Sequence, residues 1–167
     1  MSMTLNPVNE AAFQKAVQSL ETLNRAAVFH PTGTGKSCIA WKVVEAHPQT
    51  TFFWLVAGAQ RLALRQAELT RYNGGTLPGN VRFCDCEKLA AATPEQWVRL
   101  GEQKPGCIVL DCYHELSAVC WAQSVQKLLR MCPQAKVLGL GVPNGAPVCA
   151  AAQELFADCI VSHMTVA

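Results

Sequence analysis

Lys36 and Ser37 close the stretch HPTGTGKS, residues 30–37, and Gly33 and Gly35 precede them at the spacing of a phosphate cradle. The pattern G-x-x-x-x-G-K-[ST] works through the backbone. Its glycines let successive N–H groups turn toward phosphate oxygens, and the helix that follows adds the positive end of its dipole. In that chemistry Thr32, Gly33, Thr34 and Gly35 shape the loop. Lys36 reaches the β- and γ-phosphates and Ser37 holds Mg²⁺. His30 stands where the pattern has its first glycine, and the remainder is intact. A plain Gly/Thr turn between a strand and a helix is the competing reading. An apolar strand running straight into TGTGKS favours the nucleotide loop.

The second cluster is DCYH, Asp111 to His114, after the apolar run GCIVLD. Cys112 and His114 are two apart, so an extended strand end would turn them to one side, as a thiol nucleophile and its base require. Cys107, Cys112, His114 and Cys120 give C-x4-C-x-H-x5-C, which matches no strong zinc pattern. Cys84 and Cys86 read as a structural pair of thiols rather than a redox couple. Arg61 and Arg65 lie four apart on one helical stretch, a solvated face or a phosphate-contacting patch. The four tryptophans, Trp41, Trp54, Trp97 and Trp121, are spread over several elements and read as core rather than as a base-stacking platform. His30 reads as a packing residue at the mouth of the loop.

Bulk properties bound these readings. A chain of 167 residues is expected to form one domain, with 1–24 as an N-terminal helical region and 25–167 as the core. Half its residues are hydrophobic and 16% are charged, which is a globular composition. A net charge of +2 carries no argument for nucleic acid. Nine cysteines without an even framework, and no apolar signal core at the start, point to free thiols in a reducing cytoplasm. No window reaches the ~18 apolar residues that span a bilayer, so no membrane is expected.

The elements that must position the loop alternate along the chain. Residues 7–24 put Ala12, Phe13, Ala16, Val17 and Leu20 on one helical face. Strands are expected at 25–29, 50–57, 80–84, 106–111, 135–140 and 158–162. Helices are expected at 37–47, 58–72, 86–92, 94–102, within 115–131, and near 148–157. Thr93 and Pro94 mark a helix start, and Asn73, Gly74 and Gly75 a helix end. Strands alternating with helices predict an α/β fold, a mostly parallel sheet with helices on both faces. The loop, DCYH and the 141–147 segment then fall at carboxyl ends of strands, where such sheets bind ligands.

With this loop, the order of segments resembles superfamily 2 DEAD/DEAH-type helicases, in their first RecA-like domain. It looks closest to bacterial members whose loop reads HPTGTGKS. The matching landmarks are Pro7 and Asn9, the loop, FWL (53–55), Gln66, VLDCYHELSA, KVLGLG (136–141) and ELFADCIVSHMT (154–165). The resemblance implies a RecA-like P-loop three-layer sandwich that binds ATP with Mg²⁺. In that reading Asp111 supports the metal through water, and Asn9 stands where related helicases contact adenine with a Gln. No guanine-reading N-K-x-D segment appears.

The departures matter as much. The family's D-E-x-H reads Asp111, Cys112, Tyr113, His114 here, so a thiol replaces the Glu that orients the attacking water. Cysteine is a poor base in that place, and general-base effects are worth ~10²–10⁴-fold, so hydrolysis is expected to be very slow. GVPNG (141–145) replaces the S-A-T-like coupling motif, and LVAGAQR (55–61) and CDCEKL (84–89) depart from the strand-contacting segments. The chain stops at Ala167, where the link to a second RecA-like domain would begin. The expectation is ATP binding by a stand-alone, hydrolysis-impaired domain. Three other readings stay open. One is an active ATPase or helicase component that needs a second domain, nucleic acid, or Glu115 acting for Cys112. Another is an interaction module that has lost the nucleotide and pairs with a protein, or with itself, through the surface a second domain would cover. The last is a fragment with no selected role.

Overall fold

In a computed structural model, residues 3–143 and 150–165 are described. Six short strands form one sheet: β1 (Arg25–Phe29), β2 (Phe52–Val56), β3 (Val81–Asp85), β4 (Cys107–Asp111), β5 (Lys136–Gly141) and β6 (Ile160–His163). Their order is β3-β2-β4-β5-β1-β6, and every pairing is parallel. A parallel sheet covered on both faces needs apolar side chains in both directions. FFWLV and CIVLD supply them, and every residue of β2 and β4 is buried.

Alternate strand residues feed two cores. Ala26, Val28, Phe52, Trp54, Val56, Val109 and Leu138 face one layer of helices: α1 (Pro7–Thr22), α2 (Lys36–Ala46) and α3 (Ala59–Tyr72). Ala27, Phe53, Leu55, Ile108 and Leu110 face the other. That layer holds α4 (Cys86–Ala90), α5 (Pro94–Glu102), the rod that begins with α6 (Ala118–Cys120), and a last helix, Ala150–Phe156. The rod continues as a π-helical turn (Trp121–Val125) and α7 (Gln126–Met131), so the last helix is α8. The four tryptophans are all buried, as core residues should be. The expected helical face of α1 holds: Ala12, Ala16 and Leu20 are buried, with Phe13 and Val17 packed against the same core.

Local signals explain the element ends. The Asn6 side chain caps α1, with Pro7 in its first turn. Thr93 and Gln96 form a reciprocal capping box on α5. Asn73 ends α3, and Gly74 and Gly75 then take positive φ values of 70° and 98°. In mid-sheet, a Cβ on Gly139 would come within 2.6 Å of the Phe156 ring, so the absent side chain lets α8 seat on β5. The expected 141–147 loop and the start of the expected 148–157 helix fall partly on 144–149, outside the described residues.

Candidate functional site

The carboxyl end of β1 runs through His30 into the loop, and α2 starts at Lys36. Gly33 and Gly35 both sit in the left-handed region, at φ 82° and 90°. Side chains other than glycine are strained there. At Gly35 there is a second reason: an added Cβ would lie 2.8 Å from Asn9 Nδ2. That amide donates to the Thr34 carbonyl at 2.8 Å, and Thr34 Oγ1 donates to the Pro31 carbonyl at 2.7 Å. Asn9 thus ties α1 to the turn of the loop. Its Oδ1 is buried without a hydrogen-bond partner.

Lys36 folds its ammonium back into the loop. Nζ donates to the carbonyls of His30, at 2.7 Å, and Pro31, at 2.9 Å. Burial lowers its pKa, helped by the nearby Arg65 charge. Beside Ser37, the Cys38 thiol donates to the Tyr72 hydroxyl at 3.3 Å. His30 is fully buried behind the loop, its Nε2 2.7 Å from Ser162 Oγ on β6. It is a packing residue between β1 and β6, as read from the sequence.

Asp111 ends β4, with Cys112 and His114 just after it, and β5 lies between β4 and β1. Asp111 is 4% exposed, and both of its carboxylate oxygens are engaged. Arg65 Nε lies 2.6 Å from Oδ2, and Arg65 Nη2 donates to Oδ1 at 3.4 Å. The Trp54 indole N–H donates to Oδ2 at 3.0 Å. Burial drives this carboxyl's pKa upward, and the guanidinium and the indole oppose it. Burial also works against the Arg65 charge, but Asp111 and Glu68 outweigh it and hold the guanidinium protonated. Glu68, one turn along α3, forms a second close ion pair with Arg65.

Cys112 is nearly buried, and burial pushes its thiol pKa up. Its Sγ sits 4.0 Å from His114 Nδ1. That nitrogen is already an acceptor, taking the Val142 N–H at 3.2 Å, so the neutral ring carries its proton on Nε2 and the Nδ1 lone pair is not open to the thiol proton. Burial, then the charge of Lys36, lowers the His114 pKa. The ring stacks on Tyr113 with centroids 4.2 Å apart, and Phe29 packs at 5.3 Å. His114 therefore joins β4 to β5, and a neutral thiol beside an occupied nitrogen is no activated nucleophile. Among the described residues no group of three His, Cys, Asp or Glu side chains is placed to hold a metal. The eight described cysteines, Cys84 and Cys86 included, are free.

These groups converge on a cleft of about 190 Å³ lined by Thr32, Lys36, Arg61, Arg65, Asp111 and Cys112, with Val56, Leu64 and Val142 completing the walls. A larger hollow of about 390 Å³ beside α2 and the α3–β3 turn shares none of these residues. Sequence reading missed the place of Arg65. The alternatives were a solvated face or a phosphate-contacting patch, and neither foresaw that Arg65 turns inward to a buried carboxylate. The signal was present: an arginine on the first turns of a helix starts close to the carboxyl end of the preceding strand. Mg²⁺ does not fit the donor set as arranged, because both oxygens of Asp111 already have protein partners.

No family profile matches the sequence, and no curated protein sequence matches it. Solved structures do match the fold. Over 95% of this chain and 22% of theirs, the Escherichia coli DEAH/RHA helicase HrpB superposes with TM-score 0.70 at 16% identity. A second structure, of the E. coli DExH-box NTPase HrpB, gives 0.69 at 15% identity over 96% of this chain and 22% of that one. A hypothetical ATP-dependent RNA helicase from Sulfolobus tokodaii gives 0.67 at 10% identity, over 97% and 52%. The fold, a six-stranded parallel sheet between helices, is the α/β RecA-like fold that these structures share. This chain spans about a fifth of HrpB and about half of the Sulfolobus protein. Among the described residues no helix is long and apolar enough to cross a membrane.

Proposed function

We propose that this domain binds a nucleotide, ATP by its resemblance to the helicases, through residues 30–37, and does not turn it over. The observation that carries the reading is the loop's geometry. Two left-handed glycines, a lysine and a helix start are gathered at one strand end, and the cleft beside them presents a neutral thiol in place of a carboxylate. Lys36 leaves its two carbonyls for the phosphates, and the N–H groups of 33–37 follow. Cys112 neither takes a proton from water nor orients it, so the bound nucleotide persists. Asn9 holds the loop from α1, and the adenine contact expected of it is a secondary proposal. So are the cytoplasmic location, a nucleic-acid ligand, and a protein partner on the face that a second domain would cover.

The test is calorimetric titration with ATP of the wild type and Lys36→Ala, with phosphate release followed in the same samples. Saturable binding that disappears in Lys36→Ala, without release above the blank, supports the reading. No binding at millimolar ATP overturns it. Release that nucleic acid stimulates would favour an active ATPase instead.

A further inference from the structure

In a phosphate-loop site a divalent cation has a defined place. A loop hydroxyl and a carboxylate at a nearby strand end would hold it, and it would neutralise phosphate charge there. Here that carboxylate is Asp111, and a guanidinium lies against it. We infer that Arg65 stands in for the cation, so that the cleft takes its nucleotide's phosphates without a metal ion. The inference rests on the nucleotide reading above and goes one step past it.

Three observations support it. The carboxylate a metal would use is committed, Asp111 through both oxygens to Arg65 and Trp54. A metal entering there would have to break a contact made by a carboxylate that is 4% exposed, which strands a buried charge. Next, the cation is in the right place, since Arg65 lines the same cleft as Lys36 and Arg61. Finally, its planar fork has donors to spare. A guanidinium carries five N–H groups, with two on each terminal nitrogen. Nη1 donates to Glu68 and Nη2 to Asp111, while Nε lies 2.6 Å from Asp111 Oδ2 without hydrogen-bond alignment, so each terminal nitrogen keeps one N–H for a phosphate oxygen. Trp54, Asp111 and Glu68 then fix the fork in position rather than consume it, which is how a pre-set guanidinium recognises phosphate.

The test is ATP titration of the wild-type protein in excess EDTA and again in excess Mg²⁺. Saturable binding in EDTA, as tight as or tighter than in Mg²⁺, is expected. Binding only in Mg²⁺ overturns this inference and leaves the nucleotide reading standing, and binding in neither overturns both. Asp111→Asn separates the roles without a cavity. If Arg65 is the cation, removing the competing carboxylate tightens EDTA binding by about tenfold or more, of the order of one charge-assisted contact. If Asp111 serves a metal, the same change weakens Mg²⁺-dependent binding, and the inference falls. The double variant Arg65→Gln/Asp111→Asn replaces the ion pair with two amides, so no buried charge is orphaned. It is expected to lose EDTA binding by at least about tenfold, and unchanged affinity would overturn the proposal.

Discussion

Arg65 and Asp111, 46 residues apart in sequence, meet with Nε 2.6 Å from Oδ2, and the Trp54 indole donates to the same oxygen at 3.0 Å. The pair links α3 to the end of β4 through a carboxylate with almost no access to water. Removing one member of such a pair leaves the other's charge uncompensated. Arg65→Ala is expected to lower folding stability by about 3–5 kcal/mol. Urea denaturation followed by tryptophan fluorescence measures it, and a loss below about 1 kcal/mol would mean that the pair behaves as an exposed one.

Asn9→Ala removes the amide that holds the Thr34 carbonyl. One hydrogen bond is worth about 1 kcal/mol, so a modest fall in stability is expected, with a loss of nucleotide affinity of roughly fivefold as the loop loosens. Because Asn9 Nδ2 also lies where a Gly35 side chain would fall, Gly35→Ala is expected to be worse on both counts. Equal affinity in wild type and Asn9→Ala would separate α1 from the loop's function.

His30 gives the fold a pH dependence. Burial lowers its pKa, with the charges of Lys36 and His163 adding to the effect. The unfolded chain takes up a proton near the ordinary value of about 6.5, and the folded chain resists it. Stability is therefore full above that value and falls as pH drops below it, until the lower folded value is reached. His114, lowered by burial and by Lys36, acts in the same direction. Urea midpoints between about pH 8 and pH 5 should decline. His30→Asn should flatten the decline, and an unchanged slope in that variant would assign the effect elsewhere.

The thiols should be sluggish. Burial pushes Cys84 up to about 11 and raises Cys112 as well. The thiolate is the reactive form, so neither should be alkylated by iodoacetamide in the folded protein near pH 8. Both should be modified once urea exposes them. Peptide mass spectrometry reads this residue by residue. Fast labelling of Cys112 in the folded state would revive a nucleophilic role for it.

Much of this architecture could be read from residue order alone. Buried parallel strands appear as apolar runs such as CIVLD, and the loop, the Thr93–Pro94 start and the Asn73–Gly75 stop each have local chemistry that sequence displays. Arg65 could not be assigned so. On α3 it shares a face with Arg61, and helical periodicity does not distinguish an arginine facing water from one facing a carboxylate 46 residues later. The π-helical turn at Trp121–Val125 carries no Gly or Pro to announce it, so 115–131 reads as containing one ordinary helix. The Asn9 amide is hidden for the same reason as Arg65, since its partner is a carbonyl 25 residues away.

The strand order has a consequence for how the chain is made. β1, which runs into HPTGTGKS, is synthesised before the other strands of its sheet, yet its two sheet neighbours are β5 and β6, the last of the six. Its backbone has no ladder partner until residues 136–163 exist. His30 likewise waits for Ser162 and for the Gly141 carbonyl. The strand made first in this sheet is therefore the one whose support arrives last. A nascent chain that stalls before Ile160 would display HPTGTGKS without a finished platform beneath it, and occupancy of the loop would report that synthesis had run through β6.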